Sequence, residues 1–123
     1  MDKIKVLIVD DSPVVRQAIS AILSSDKEIE ITGTASNPFE AADLIKNQIP
    51  DVITLDIEMP KMDGHHLLKR IREENRLEGL PVFVFSSLIN EEMRRKGEAL
   101  GADGQISKPE IVQLIDLIDK KIL

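Results

Sequence analysis

Residues 4–13 read Ile-Lys-Val-Leu-Ile-Val-Asp-Asp-Ser-Pro, and this stretch decides the fold. Apart from one lysine, its first six residues are aliphatic and mostly β-branched, which is typical of a strand buried on both faces of a parallel sheet. Ser12 and Pro13 then place a capping hydroxyl before a proline, which is a start signal for a helix. The stretch therefore predicts a strand, an acidic turn and a helix.

The same alternation continues along the rest of the chain. The predicted strands are Ile4–Val9, Ile29–Ala35, Val52–Leu55, Val82–Phe85 and Gly104–Ser107, and each is followed by a stretch with helical periodicity. Asn37 and Pro38 repeat the helix-start signal, Glu40 completes a capping box, and Gly101 is a stop signal after the fourth helix. Five strands that alternate with five helices predict an α/β domain with a parallel sheet covered on both faces.

Composition places the 123 residues among ordinary globular domains, with 42% hydrophobic and 31% charged residues. The absence of cysteine excludes disulfides, thiolate catalysis and cysteine-based metal sites. A net charge of -6 and only three aromatic residues argue against a nucleic-acid partner. No apolar run is long enough to cross a bilayer, and the N-terminus lacks a signal-peptide pattern. We expect one cytoplasmic domain over residues 1–123, with no output domain and no membrane partner.

Side chains that can bind an ion or take part in a reaction follow the strands, at the edge where open parallel sheets bind ligands. Asp10 and Asp11 follow the first strand, Asp56 ends the third, Ser86 follows the fourth and Lys108 follows the fifth. Because three carboxylates at one rim repel one another, we expect a divalent cation to neutralise them. Oxygen-only ligands favour Mg²⁺ or Mn²⁺, and Mg²⁺ commonly shares a phosphate oxygen.

These strand-end residues also predict phosphoryl-transfer chemistry. Asp56 is the candidate nucleophile, because a carboxylate on the central strand can attack phosphorus and form an aspartyl phosphate. The Lys108 ammonium and the Ser86 hydroxyl would then contact phosphoryl oxygens, while Asp10 would hold a metal-bound water and orient Asp11. Each residue alone is usually a cap, a turn or a solvated side chain, so the prediction depends on their combination at one rim.

The combined motifs resemble the receiver domain of two-component response regulators. The resemblance covers nearly the whole chain and is carried by residues 9–12, 51–64, 85–87, 101–103 and 108–109. It implies the flavodoxin-like (CheY-like) fold, a (βα)5 domain with strand order 2-1-3-4-5. Within the family the chemotaxis branch is the most similar: the first half resembles the receiver of the methylesterase CheB, and residues 64–111 resemble the receiver of CheV-type coupling proteins.

The resemblance implies roles for the acidic residues. Asp56 is similar to the phosphoacceptor, and Asp11 and Asp56 are similar to direct Mg²⁺ ligands, with the backbone carbonyl of Glu58 as a third. Asp10 is similar to the acidic partner that acts through water. The Glu58 side chain would lie near the hydrolytic water, so we expect it to modulate dephosphorylation.

The resemblance also implies a switch and a set of partners. Ser86 is similar to the switch hydroxyl and Lys108 to the lysine of the phosphorylation site, and the Lys108–Pro109 bond is expected to be cis. Gln105 departs from the family pattern, because receivers commonly place an aromatic ring at this position of the fifth strand. The expected partners are a histidine kinase and a downstream protein that docks on helix 4, strand 5 and helix 5.

Three functions fit the sequence to different degrees. The leading hypothesis is a signalling receiver that catalyses only its own phosphorylation and dephosphorylation and acts on no external metabolite. A Mg²⁺-dependent phosphatase with an aspartyl-phosphate intermediate is an alternative, because Glu58 is an acid two residues after the nucleophile. A non-phosphorylated interaction module of the same fold is another, and it predicts that Mg²⁺ does not change stability.

Overall fold

The computed structural model describes residues 3–56, 64–74, 79–86, 91–107 and 118. Strands and helices alternate through these ranges as β1 (Ile4–Val9), α1 (Pro13–Ser24), β2 (Ile29–Ala35), α2 (Pro38–Asn47), β3 (Val52–Asp56), α3 (Gly64–Glu73), β4 (Val82–Ser86), α4 (Glu91–Ala99) and β5 (Gly104–Ser107). The strands are those predicted, except that β3 and β4 each run one residue further. The predicted fifth helix lies outside the described residues apart from Ile118, which is helical and buried.

All five strands are parallel and lie in the order β2-β1-β3-β4-β5, which confirms the predicted flavodoxin-like topology. The two central strands, β1 and β3, pair from Val6 opposite Val52 to Val9 opposite Leu55. This register brings the residues that follow Val9 and Leu55 to one edge of the sheet. We call this edge, at the carboxyl ends of the strands, the rim.

Side chains of the strands alternate between two apolar layers, as the period of a β-strand requires. One layer packs against α2 and α3, and its strand members are Leu7, Val9, Ala35, Ile53, Leu55, Val82 and Val84. The other packs against α1 and Ile118, and its strand members are Ile4, Val6, Ile8, Ile29, Val52, Phe83, Phe85 and Ile106. The sheet is therefore covered on both faces, and the rim is the edge where polar side chains follow the strands.

The first two helices begin at the predicted caps. The Ser12 hydroxyl accepts a hydrogen bond from the backbone N–H of Val15 at 3.3 Å, and Asn37 Oδ1 accepts from the N–H groups of Phe39 and Glu40, both at 2.9 Å. The predicted capping box takes a different form. The Glu40 carboxylate accepts hydrogen bonds from Asn37 Nδ2 at 3.1 Å and from the Ser36 hydroxyl. Both caps lie at the rim and fix where α1 and α2 begin.

An arginine joins three segments at the opposite end of the sheet, and we call this group of contacts the Arg72 clamp. Arg72, near the end of α3, donates from Nη1 to the backbone oxygen of Leu80 at 2.6 Å. Its Nε and Nη2 donate to the backbone oxygen of Gly101 at 3.1 and 2.8 Å, and Nη2 also donates to Asp103 Oδ2 at 2.9 Å. The same Asp103 oxygen accepts from the backbone N–H of Val82 at 2.8 Å. The clamp thus ties α3 to the starts of β4 and β5.

The described part of the chain contains no helix that is both long and apolar enough to cross a membrane.

Candidate functional site

Three aspartates that are far apart in the sequence meet at the rim. One carboxylate oxygen from each of Asp10, Asp11 and Asp56 lies within 4.8 Å of the other two. Asp10 and Asp56 are buried, with 1% and 0% of their surface exposed, whereas Asp11 is exposed. We call these residues the carboxylate cluster. Their predicted convergence is confirmed, although 45 positions separate Asp11 from Asp56.

Asp10 is held by contacts from both flanking elements. Its backbone N–H donates to the Ala35 oxygen at 3.0 Å, which extends the pairing of β1 with β2 by one residue. Its Oδ1 accepts from the N–H of Ser12 at 2.9 Å, and its backbone oxygen accepts from Nη1 of Arg16 at 2.7 Å. The acidic turn is therefore fixed between β2 and the first turns of α1, and a guanidinium lies beside it.

Asp56 is the last residue of β3, and its Cα partner on β4 is Phe85. Its side chain lies on the same face of the sheet as Thr54, because side chains alternate along a strand. The Thr54 hydroxyl is buried and has no hydrogen-bond partner in the described part of the chain. A polar side chain therefore lies two residues before Asp56, between the apolar residues Ile53 and Leu55.

The carboxylate cluster suits a small, hard divalent cation. Among the residues that the structure describes, it offers three carboxylates and no nitrogen or sulfur ligand, and Mg²⁺ prefers oxygen ligands. Burial of charged carboxylates is costly unless an opposite charge compensates it. Two of the three carboxylates are buried, so the site gains from a bound cation more than an exposed acidic patch would.

Not every predicted site residue lies among the described residues. Ser86 ends β4 with Ser107 of β5 as its Cα partner, so the backbones of both serines reach the rim. Glu58, Lys108 and Pro109 lie outside the described residues, so their roles and the cis bond stay predictions.

Two residues near the cluster, Arg16 and Thr54, were not predicted as site residues. Each left a signal in the sequence: Arg16 is a cation in the first turns of the helix after the acidic pair, and Thr54 is the polar residue of an apolar strand. Gln105, which departs from the family pattern, donates from Nε2 to the backbone oxygen of Arg94 in α4 at 2.8 Å. The position expected to carry a ring therefore makes a polar contact.

Comparison with known proteins identifies a family and several relatives. Residues 6–119 match the model of the response regulator receiver domain. The chain is 50% identical over 113 residues to a protein-glutamate methylesterase/protein-glutamine glutaminase of Hydrogenovibrio crunogenus, which covers 90% of this chain and 29% of that protein. It is also 50% identical over 111 residues to such a protein, of group 3 operon, from Rhodopseudomonas palustris, covering 89% and 30% respectively. The chain thus spans less than a third of the length of these relatives.

Solved structures with the same fold include two from chemotaxis proteins. The response regulator domain of Thermotoga maritima CheB superposes with a TM-score of 0.82 and 32% identity, covering 97% of this chain and 93% of that one. Vibrio cholerae CheY4 superposes with a TM-score of 0.86 and 30% identity, covering 98% of this chain and 99% of that one. These matches confirm the resemblance to receivers of the chemotaxis branch, while the similarity of the second half to CheV-type proteins stays a prediction. Matched over nearly its whole length, the chain belongs to the response regulator receiver domain family.

Proposed function

We propose that this chain is the phosphorylatable receiver of a two-component signalling system, of the chemotaxis type, and that Asp56 accepts the phosphoryl group. The observation that carries the proposal is the carboxylate cluster: Asp56 ends the central strand, is fully buried, and has a carboxylate oxygen within 4.8 Å of those of Asp10 and Asp11. Membership of the receiver family supports the same assignment.

The reaction follows from the chemistry of a carboxylate. One oxygen of Asp56 attacks the phosphorus of a phosphohistidine on the donor kinase, so that an O–P bond forms while the N–P bond breaks. The departing imidazole keeps the bonding electron pair and takes up a proton. Mg²⁺, held by Asp10, Asp11, Asp56 and the carbonyl of Glu58, would offset the negative charge of the carboxylates and of the incoming phosphoryl group.

Two further residues are proposed to contact the phosphoryl oxygens. The backbone of Ser86 reaches the rim beside β3, which supports a hydrogen bond from its hydroxyl to the phosphoryl group. Lys108 directly follows Ser107, the last residue of β5, so its ammonium is proposed to compensate charge at the same rim.

The proposed partners are a histidine kinase, which supplies the phosphoryl group, and a downstream protein that recognises the face formed by α4, β5 and the residues after β5. The exposed charged side chains of α4 support a protein-binding face of this kind, and its ion pair between Arg95 and Glu91 at 3.4 Å lies on the surface. We propose that the domain works in the cytoplasm.

The experiment is a phosphorylation assay on the purified chain with Mg²⁺ and acetyl phosphate, read by intact-protein mass spectrometry. We expect a mass increase of one phosphoryl group that is stable in acid and lost in base, and no increase for Asp56→Asn. The matched control is Asp51→Asn, because Asp51 precedes the same strand at the end away from the rim and binds the Lys5 N–H at 2.8 Å. The assignment is wrong if Asp56→Asn gains the modification as the native chain does.

A further inference from the structure

The described side chains of helix α4 are mostly charged. Six of its nine residues are charged and exposed, namely Glu91, Glu92, Arg94, Arg95, Lys96 and Glu98. Gly97 is buried, and Leu100, just after the helix, is half-buried against the core. Because an isolated helix of nine residues is unstable in water, the position of α4 depends on its contacts with the rest of the domain.

One of these contacts comes from the middle of β5. Gln105 donates from Nε2 to the Arg94 backbone oxygen at 2.8 Å, so its carboxamide lies along one turn of α4. A Cβ atom at Gly97 would stand 2.6 Å from Gln105 Oε1 and 2.8 Å from its Cδ, which is closer than real Cβ atoms approach. The glycine therefore leaves room for the carboxamide, although glycine stabilises a helix interior less than alanine does.

The C-terminal end of α4 is held by a different set of contacts. The Arg72 clamp binds the backbone oxygen of Gly101 through two donors, at 3.1 and 2.8 Å. Gly101 has a φ of 91°, a left-handed conformation that ends the helix, and the N–H of Ala102 returns to the oxygen of Gly97 at 2.9 Å. Hydrogen bonds from a charged donor are stronger than neutral ones, so this end is attached more firmly than the middle of the helix.

We propose that α4 is a movable element that pivots at Gly101, and that the contact of Gln105 with Arg94 and Gly97 is the latch that holds it against β5. When the Gln105 latch opens, the helix leaves β5 while the Arg72 clamp keeps its C-terminal end in place. A neutral hydrogen bond contributes little net stability, so the closed and open positions differ by a small free energy. The residue at position 105 then sets the fraction of molecules with α4 released.

The first test is hydrogen exchange of the α4 backbone amides in Gln105→Met. Methionine has a similar length to glutamine but no donor, so loss of the latch should speed exchange of the amides of residues 95–100 about two- to ten-fold. The internal control is α1, whose amides should exchange at the native rate. Unchanged exchange in α4, or an equal acceleration in α1 and α4, contradicts the latch.

The second test is a double-mutant cycle that does not depend on one variant. In the Gln105→Ala background, the methyl group that Gly97→Ala adds meets no carboxamide. Alanine stabilises a helix more than glycine does, so Gly97→Ala should then slow amide exchange in α4 about five-fold. With Gln105 present, the same substitution displaces the carboxamide and opens the latch, so exchange should be unchanged or faster. Slowing by the same factor in both backgrounds overturns the proposal.

The role of the latch in signalling rests on the proposed function, since the exposed face of α4 is the proposed partner surface. The exchange experiments need neither Mg²⁺ nor a phosphodonor. A failed latch would therefore leave the phosphorylation of Asp56 untouched, and a failed phosphorylation assay would leave the latch intact.

Discussion

Thr54 and Asp56 lie on one face of β3 and both are buried, yet their surroundings differ. Asp56 stands at the rim, where other carboxylates approach it. Thr54 stands one step further into the sheet, with Ile8 and Phe83 as its Cα partners on the neighbouring strands. Neither partner has a polar side chain, so the Thr54 hydroxyl is buried without a hydrogen bond inside the described region. Such a group lowers stability.

We therefore expect Thr54→Val to raise the free energy of unfolding by about 1 kcal/mol, because valine has the same shape without the hydroxyl. Urea denaturation followed by circular dichroism measures the change. The matched control is Thr32→Val in β2, where the hydroxyl donates to the Val6 backbone oxygen at 3.4 Å and its loss should bring no gain. A destabilised Thr54→Val would show that the hydroxyl has a partner after all.

The sequence predicts Asp56 but not the state of Thr54, for a physical reason. An acid that ends an apolar strand is visible in the order of residues, because the strand-end rule needs only the fold class. Whether a buried hydroxyl finds an acceptor depends on which side chains flank it on two other strands. That information exists only once the register is known.

Elements of this domain begin where local signals predict them, but their mutual attachment is not local. Ser12 and Asn37 cap the helices that follow them, within three residues along the chain. The Arg72 clamp joins α3 to Gly101 and Asp103, about 30 residues further on. No nearby residue indicates such a contact, so the clamp and the Gln105 latch could be found only in the structure.

The clamp makes a prediction at the level of the element. Arg72→Met should lower the free energy of unfolding by about 2 to 3 kcal/mol, because it removes a charged donor from two backbone oxygens and from Asp103. Arg95→Met is the control, since its ion pair with Glu91 is 78% and 70% exposed and should contribute less than about 0.5 kcal/mol. Thermal or urea unfolding of both variants distinguishes them, and equal losses would contradict the role of the clamp.

At the scale of the whole molecule, the parallel sheet turns three distant aspartates into one site. The convergence was predictable, since strands in this topology end at a common edge and the motifs identify the family. The unequal burial of the three carboxylates was not, because it depends on how α1 and β2 close around the turn after β1. Glu58 and Lys108 stay predictions, since both lie outside the described residues.

The cluster predicts two effects of Asp56→Asn, one without Mg²⁺ and one with it. Without the ion, Asp56→Asn should raise the free energy of unfolding by roughly 1 to 3 kcal/mol, because it removes one of three mutually repelling charges. With Mg²⁺ at about 100 times its dissociation constant, the native chain should gain about 2.7 kcal/mol and the variant less. Thermal unfolding with and without Mg²⁺ measures both effects.

Asp51→Asn is the control, and it should respond to Mg²⁺ as the native chain does. Equal stabilisation of the native chain and Asp56→Asn would show that the ion binds elsewhere. An absence of any Mg²⁺ effect on the native chain would favour the interaction module that is not phosphorylated.

Only Asp11 of the cluster is exposed, so a molecule from solution approaches the two buried carboxylates past a negative charge, on a chain whose net charge is -6. A small anionic reagent is repelled along this route, and dissolved salt screens the repulsion over a Debye length of about 10 Å at 0.1 M. Diffusional encounter with such a reagent therefore becomes faster as ionic strength rises. A protein donor that presents positive charge towards Asp11 would show the reverse trend.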